Sequence, residues 1–200
     1  VYELNGHPVR IEFLQNTNDA SRSGTLNTVD GEGVSAVQFL YAGVAHDWFQ
    51  EYSITTELPG GNGVVTEIVR FADAVAFIVL KAVAFNQRHE HKDVADLLHV
   101  MRYWGAIEDL ASLYAQRMQA GSHGDALHEV LLLLEKHFCD GGGVEGWRKD
   151  GPAKFANFHQ IGKPGEDEFV RAQRDASAMV DYFVGLVRAN AQPKQLPGAS

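Results

Sequence analysis

A single cysteine, Cys139, stands among 200 residues, which excludes an internal disulfide and fits a reducing compartment such as the cytoplasm. No apolar run approaches the roughly 20 residues that a bilayer-spanning helix needs, so no membrane association is expected. No basic segment followed by an apolar one marks a signal peptide. Positive charge is scarce: 17 Lys and Arg face 26 Asp and Glu, a formal net charge of −9. That sign opposes nucleic-acid binding through bulk electrostatics. Internal repeats are absent. Gly141–Gly143 lacks the Gly-Lys-Ser/Thr ending of a phosphate-binding loop and reads as a helix stop. An initiator methionine is also missing, and the opening V-Y-E-L-N-G already reads as strand and turn, as in a truncated or processed chain. What remains is an ordinary globular composition, 45% apolar, in a chain long enough to bury a core without staples.

The pattern divides near residue 70. Asn5-Gly6 is a hairpin turn signal, because both residues tolerate positive φ. Residues 8–14 alternate apolar and polar, as do 51–57 and 64–70, so each is expected to be a strand. Residues 15–33 are rich in Asn, Ser, Thr, Asp and Gly and are expected to form a long polar loop. Residues 34–44 fit either a strand or a short helix. After 71 the period becomes helical. Helices are expected over 72–88, 93–104, 106–119 (ended by Gly121), 125–139 and 166–191, with 144–164 irregular and anchored by Trp147, Phe155 and Phe158. The fold class is therefore α+β: a small mixed β-sheet in 1–70, a predominantly helical half in 71–191, and a loose tail in 192–200.

Between the first two expected helices lies Q-R-H-E-H-K-D-V-A-D-L, residues 87–97, with seven ionisable side chains in eleven positions. His89 and His91 are two apart, so a helix would point them to different sides, against a shared metal. Asp93 suits the N-cap of the second helix, with Asp96 in its first turn. A third reading starts from Lys81, which interrupts the apolar run A-F-I-V-L-K-A-V-A-F and is costly to bury unpaired. Arg88 lies seven residues on, about 20° away around the helix, so both cations share a face. A tight turn at 89–92 would fold Asp93 and Asp96 back against them. Cations beside carboxylates at the edge of a β layer suit phosphate chemistry.

These residues carry a resemblance. Leu80, Lys81, Ala84 and Arg88, followed by Lys92, Asp93, Asp96 and Leu97, resemble the helical signature of AbiEii-type nucleotidyltransferases, a polymerase-β-like family. Upstream, H-P-V-R-I-E-F-L is similar to the family's strand that carries its third metal-binding carboxylate, here Glu12. The likeness spans roughly residues 7–104. It implies a partial nucleotidyltransferase core that moves a nucleotide from a nucleoside triphosphate (NTP) to an acceptor such as RNA, with magnesium, often held in check by an antitoxin protein. By the same resemblance Glu12 is a metal ligand, Asp93 an essential acid and Lys81 a triphosphate contact, with Arg88 and Lys92 supporting it. The family's Gly-Ser turn and Asp-x-Asp pair do not precede Glu12 in this chain, so the chain alone is expected to be inactive. The alternative is a non-enzymatic helical interaction module on a β platform.

Other candidates rank lower. Cys139 has His137 two residues away but no third group to orient a dyad, so a buried thiol is expected. His123 and His128 are expected at the surface.

Overall fold

The computed structural model describes residues 2–4, 7–9, 12–28 and 35–192, with side chains for 12–26 and 35–192. Two short strands come first, β1 (Tyr2–Leu4) and β2 (His7–Val9), paired antiparallel with Leu4 opposite His7. The Asn5-Gly6 turn expected between them lies outside the described residues, as does most of the 192–200 tail. The expected strand over 8–14 is interrupted: Glu12 and Phe13 are irregular, and pairing resumes in β3 (Leu14–Thr17).

The polar stretch after residue 14 is more ordered than its composition suggests. After β3 it holds a short 3-10 turn (Ala20–Arg22) and β4 (Leu26–Thr28). Both strands pair with β5 (Ser35–Leu40), β3 parallel and β4 antiparallel, which makes the mixed sheet β3-β5-β4. Asp19 caps the 3-10 turn by accepting the Ser21 N–H at 2.9 Å. The ambiguous segment 34–44 resolves as β5 followed by α1 (Gly43–Asp47), which seals Leu40 and Val44 into the main core.

A second β unit follows. The strands β6 (Phe49–Glu57) and β7 (Val64–Ala72) form an antiparallel hairpin nine pairs long, with the turn at Pro59–Gly61. Almost every side chain along it is exposed.

The rest is helical: α2 (Ala74–Arg88), α3 (His91–Tyr103), α4 (Ile107–Ala120), α5 (Gly124–Phe138), α6 (Asp150–Phe158) and α7 (Asp167–Ala191). The helix α6 corrects the irregular stretch expected at 144–164. There Phe155 is buried, whereas Phe158 is exposed and packs edge-on against its neighbour His159. Helix α2 is the central element. Val75, Ile78, Val79, Val83 and Phe85 are buried on several sides because α3, α4 and α5 all pack against it. Each such side chain contributes about 1.5–3 kcal/mol of transfer free energy. In α7 the buried residues Phe169, Ala172, Ala176, Val180, Phe183 and Val187 form one stripe at helical spacing against α4, α5 and α6. Gly146 is required by close approach rather than by its backbone angles. A Cβ there would run into the Phe138 carbonyl and the Ser177 hydroxyl. Fully buried Tyr114 satisfies its hydroxyl by donating to the Leu127 carbonyl at 2.8 Å.

Candidate functional site

The corner between α2 and α3 is built from the backbone outward. Asp73 is the N-cap of α2, accepts the Ala76 N–H, and is clamped by both terminal nitrogens of Arg117 from α4. The fifteen-residue helix ends at Arg88, and its C-cap, His89, has a φ of 53° that places it in the left-handed region. Only Glu90 separates it from α3. Glu90 is the N-cap, with extended backbone and no side-chain cap bond. Asp93 is therefore not the N-cap that its sequence position suggests; it lies inside the first turn. The left-handed residue moves the helix start forward to His91.

Being inside the turn aims Asp93 at α2. Its side chain is 0% exposed and takes three charged hydrogen bonds. Arg88 donates from Nε at 2.7 Å and from a terminal nitrogen at 2.8 Å, a bidentate pair. Lys81 Nζ donates to Asp93 at 3.3 Å and to Asp96 at 2.6 Å, and lies 5.5 Å from the Phe77 ring centre. The seven-residue spacing of the two cations thus brings both to one carboxylate. Lys81 is a paired, part-buried lysine. The side chain of Lys81 is 20% exposed and that of Arg88 58%, so the cations face solvent and the carboxylate does not.

The other expected site residues are placed differently. Glu12 is exposed and precedes β3 rather than lying on a strand; Arg88 is raised first by its hydrogen bond to Asp93, and Glu12 is the least of the acids that contribute. Lys92 is exposed and makes no ion pair among the described residues. No three His, Cys, Asp or Glu side chains come together in metal-holding geometry among the described residues. Both Asp93 oxygens are already engaged by cations. These residues do not fit a two-magnesium centre on their own.

A second polar group was not legible as one in the sequence. His137, buried on α5, bonds Asp150 through Nδ1 at 2.9 Å and Asn86 through Nε2 at 3.1 Å. His89 bonds the other Asp150 oxygen at 3.0 Å and stacks edge-on against Phe85. His89 is thus tied to Asp150 while its side chain stays 48% exposed. Gln87 donates to Ser23 at 2.8 Å and ties the β3–β4 connection to the same corner. Asp73 could have been found as an acid before an apolar helical run. The His137–Asp150 pair joins residues on separate helices and left no signal. Cys139 is a buried thiol pushed up to about 12 by burial first and nearby carboxylates second, and both ring nitrogens of His137 are engaged elsewhere. His123 is half-buried, bonded to Asp47 and edge-on to Trp48, so it is not a plain surface residue.

These groups predict a two-stage acid response. Burial pushes the His137 imidazole below 6.5, against the opposing pull of Asp150. Burial would raise Asp93 and Asp73, but Arg88 with Lys81, and Arg117 with the helix N–H groups, hold both carboxyls below 3.8. In each case the unfolded chain takes up the proton first, so stability is present at high pH and lost as pH falls. A shallow loss should begin as pH drops through about 6.5 and a steeper one below about 4. Urea midpoints measured across that range test it: His137→Gln should remove the first stage and spare the second. A midpoint that rises on acidification would contradict the assignment.

No protein-family model, no curated protein and no solved structure matches the chain. What the fold and the corner define is an α+β protein with a mixed sheet, a helical C-terminal half and a two-cation, two-carboxylate cluster between its second and third helices. Among the described residues, no helix is long and apolar enough to cross a membrane.

Proposed function

We propose that this chain is the C-terminal two-thirds of a nucleotidyltransferase-like protein of the toxin type, in which the α2–α3 corner binds the triphosphate of an NTP. The observation that supports this most is the convergence of Lys81 and Arg88 on buried Asp93. Two cations fixed by a common carboxylate form a preorganised phosphate clamp, because little side-chain freedom is lost when the anion arrives. Within that reading Asp93 is a positioning residue. A carboxylate whose oxygens already accept three hydrogen bonds, and whose pKa is depressed, is poorly suited to take a proton. Lys81 and Arg88 touch phosphate, and exposed Lys92 adds long-range attraction. Magnesium belongs to the same proposal, with Glu12 as the residue of this chain that would ligate it. RNA as acceptor, an antitoxin partner and a cytoplasmic setting belong to the same proposal.

The test is titration of the purified chain with magnesium and an NTP, followed by transfer of labelled nucleotide to RNA. Weak, salt-sensitive NTP binding with no transfer is expected here, since one carboxylate cannot hold two magnesium ions. A form carrying Gly-Ser and Asp-x-Asp elements upstream should transfer. Absence of NTP binding by both forms would refute the proposal. The interaction-module reading would then stand, favoured by the exposed apolar hairpin.

A further inference from the structure

Among the described residues, almost every side chain of the β6–β7 hairpin is exposed on both faces. In a directly paired antiparallel ladder, opposite residues share a face. One face therefore carries Phe71, Tyr52, Val69, Ile54 and Val65, together with Gln50, Thr56 and, opposite Ile54, Glu67. Tyr52, Ile54, Val69 and Phe71 are 65%, 44%, 41% and 46% exposed. At the hairpin base this face runs into a groove of about 320 Å³ lined by Gln50, Phe71, Phe77, Val100, Tyr103 and Trp104. With Tyr103 and Trp104, the four strand side chains expose on the order of 600 Å² of largely apolar surface. Monomers rarely leave that much in one patch, and about 800 Å² per partner makes a standard interface.

The free edge is equally undefended. Asp73 N–H donates to the Trp48 carbonyl, and Leu58 N–H to the Gly63 carbonyl. Because narrow and wide pairs alternate, Gln50, Tyr52, Ile54 and Thr56 bond inward, while Glu51, Ser53 and Thr55 turn their N–H and C=O groups outward. Neither strand contains Lys or Pro, the usual guards of an edge. Among the described residues, β7 is the strand that pairs with β6, and the other edge of β6 carries no strand.

We propose that the chain forms a symmetric homodimer by pairing β6 with β6 of a second copy, giving a four-stranded sheet β7-β6-β6-β7. A two-fold axis through Ser53 sets the register. Outward residues then meet outward residues, Ser53 with Ser53 and Glu51 with Thr55. On the apolar face Tyr52 meets Ile54 twice, an aromatic to β-branched pair of the favourable kind. No two carboxylates are opposed. Shifting the axis to Ile54 would set Glu51 against Glu57. Pairing through β7 about Ile68 would place Glu67 against Val69. The chosen register also carries Leu58 at the tip of one hairpin to the groove at the base of the other. A second copy is the favoured occupant because the same edge satisfies itself, which a two-fold interface requires. The pairing also turns a lone two-stranded ribbon, marginal by itself, into a four-stranded sheet.

The experiment uses the whole chain. Sedimentation at micromolar concentrations should give twice the 22.0 kDa chain mass. Ser53→Pro removes only an outward N–H, so the hairpin survives. Two symmetric edge bonds are lost, and the dimer dissociation constant should rise about thirtyfold. In the unaltered chain, hydrogen exchange at the Glu51, Ser53 and Thr55 amides should be slowed along with the inward Tyr52 and Ile54 amides. The proposal is overturned by a monomer with fast-exchanging outward amides. It is equally overturned by a dimer indifferent to Ser53→Pro, or by outward protection that appears only when a different protein is added.

Discussion

Replacing Asp93 with alanine is expected to lower folding stability by about 3 kcal/mol, roughly a 10 °C fall in Tm for a domain of this size. The figure follows from what the substitution leaves behind. Asp93 is fully buried and accepts bonds from Arg88 and Lys81. Breaking a buried charge pair by deleting one partner costs about 3–5 kcal/mol when the other charge is stranded. Here neither cation is fully stranded. Lys81 keeps Asp96 at 2.6 Å, and Arg88 is 58% exposed and can turn to water. The low end of the range therefore applies. Asp93→Asn keeps the shape and one acceptor oxygen but aims an amide N–H₂ at two cations, so about 2 kcal/mol is expected. Had Asp93 been an N-cap, Asn would have been nearly neutral, because it caps as well as Asp. Urea unfolding of the two variants therefore separates the roles. A neutral Asn variant would restore the capping account.

Replacing Lys81 with methionine should do the opposite: leave folding within about 1 kcal/mol and reduce nucleotide transfer by about 10²–10³-fold. The methionine stem keeps the packing beside Phe77, and Asp93 retains its bidentate Arg88. What disappears is one of the two fixed cations that face solvent. The measurement belongs in a form of the protein that carries the upstream phosphate-turn and Asp-x-Asp elements, with transfer rate and urea midpoint read on the same samples. A stable methionine variant that transfers at the parental rate would remove Lys81 from the site. A compensating loss of both stability and rate would mark it as structural only.

The sequence by itself determined the elements whose signal is local. Five of the helices were legible because apolar residues recur at a helical period and because Gly121 stops one of them, whereas α5 ends at extended Cys139, ahead of Gly141–Gly143. The long hairpin was legible because β-branched alternation flanks a Pro-Gly-Gly turn. The nearness of Lys81, Arg88, Asp93 and Asp96 was legible too. Seven-residue spacing sets two cations on one face, and a short corner leaves the next helix nowhere else to go. The tertiary structure decided what depends on partners far along the chain. Strands β3 and β4 exist because β5 offers them a ladder, not because Leu14–Thr17 or Leu26–Thr28 have strong strand character of their own. Asp93 became a buried anchor rather than a cap because left-handed His89, held by Asp150, moved the start of α3 to His91. The clamp of Arg117 on Asp73 joins residues 44 apart in the chain. Such pairs form when packing has already brought helices together, and no period or spacing along the chain carries that information.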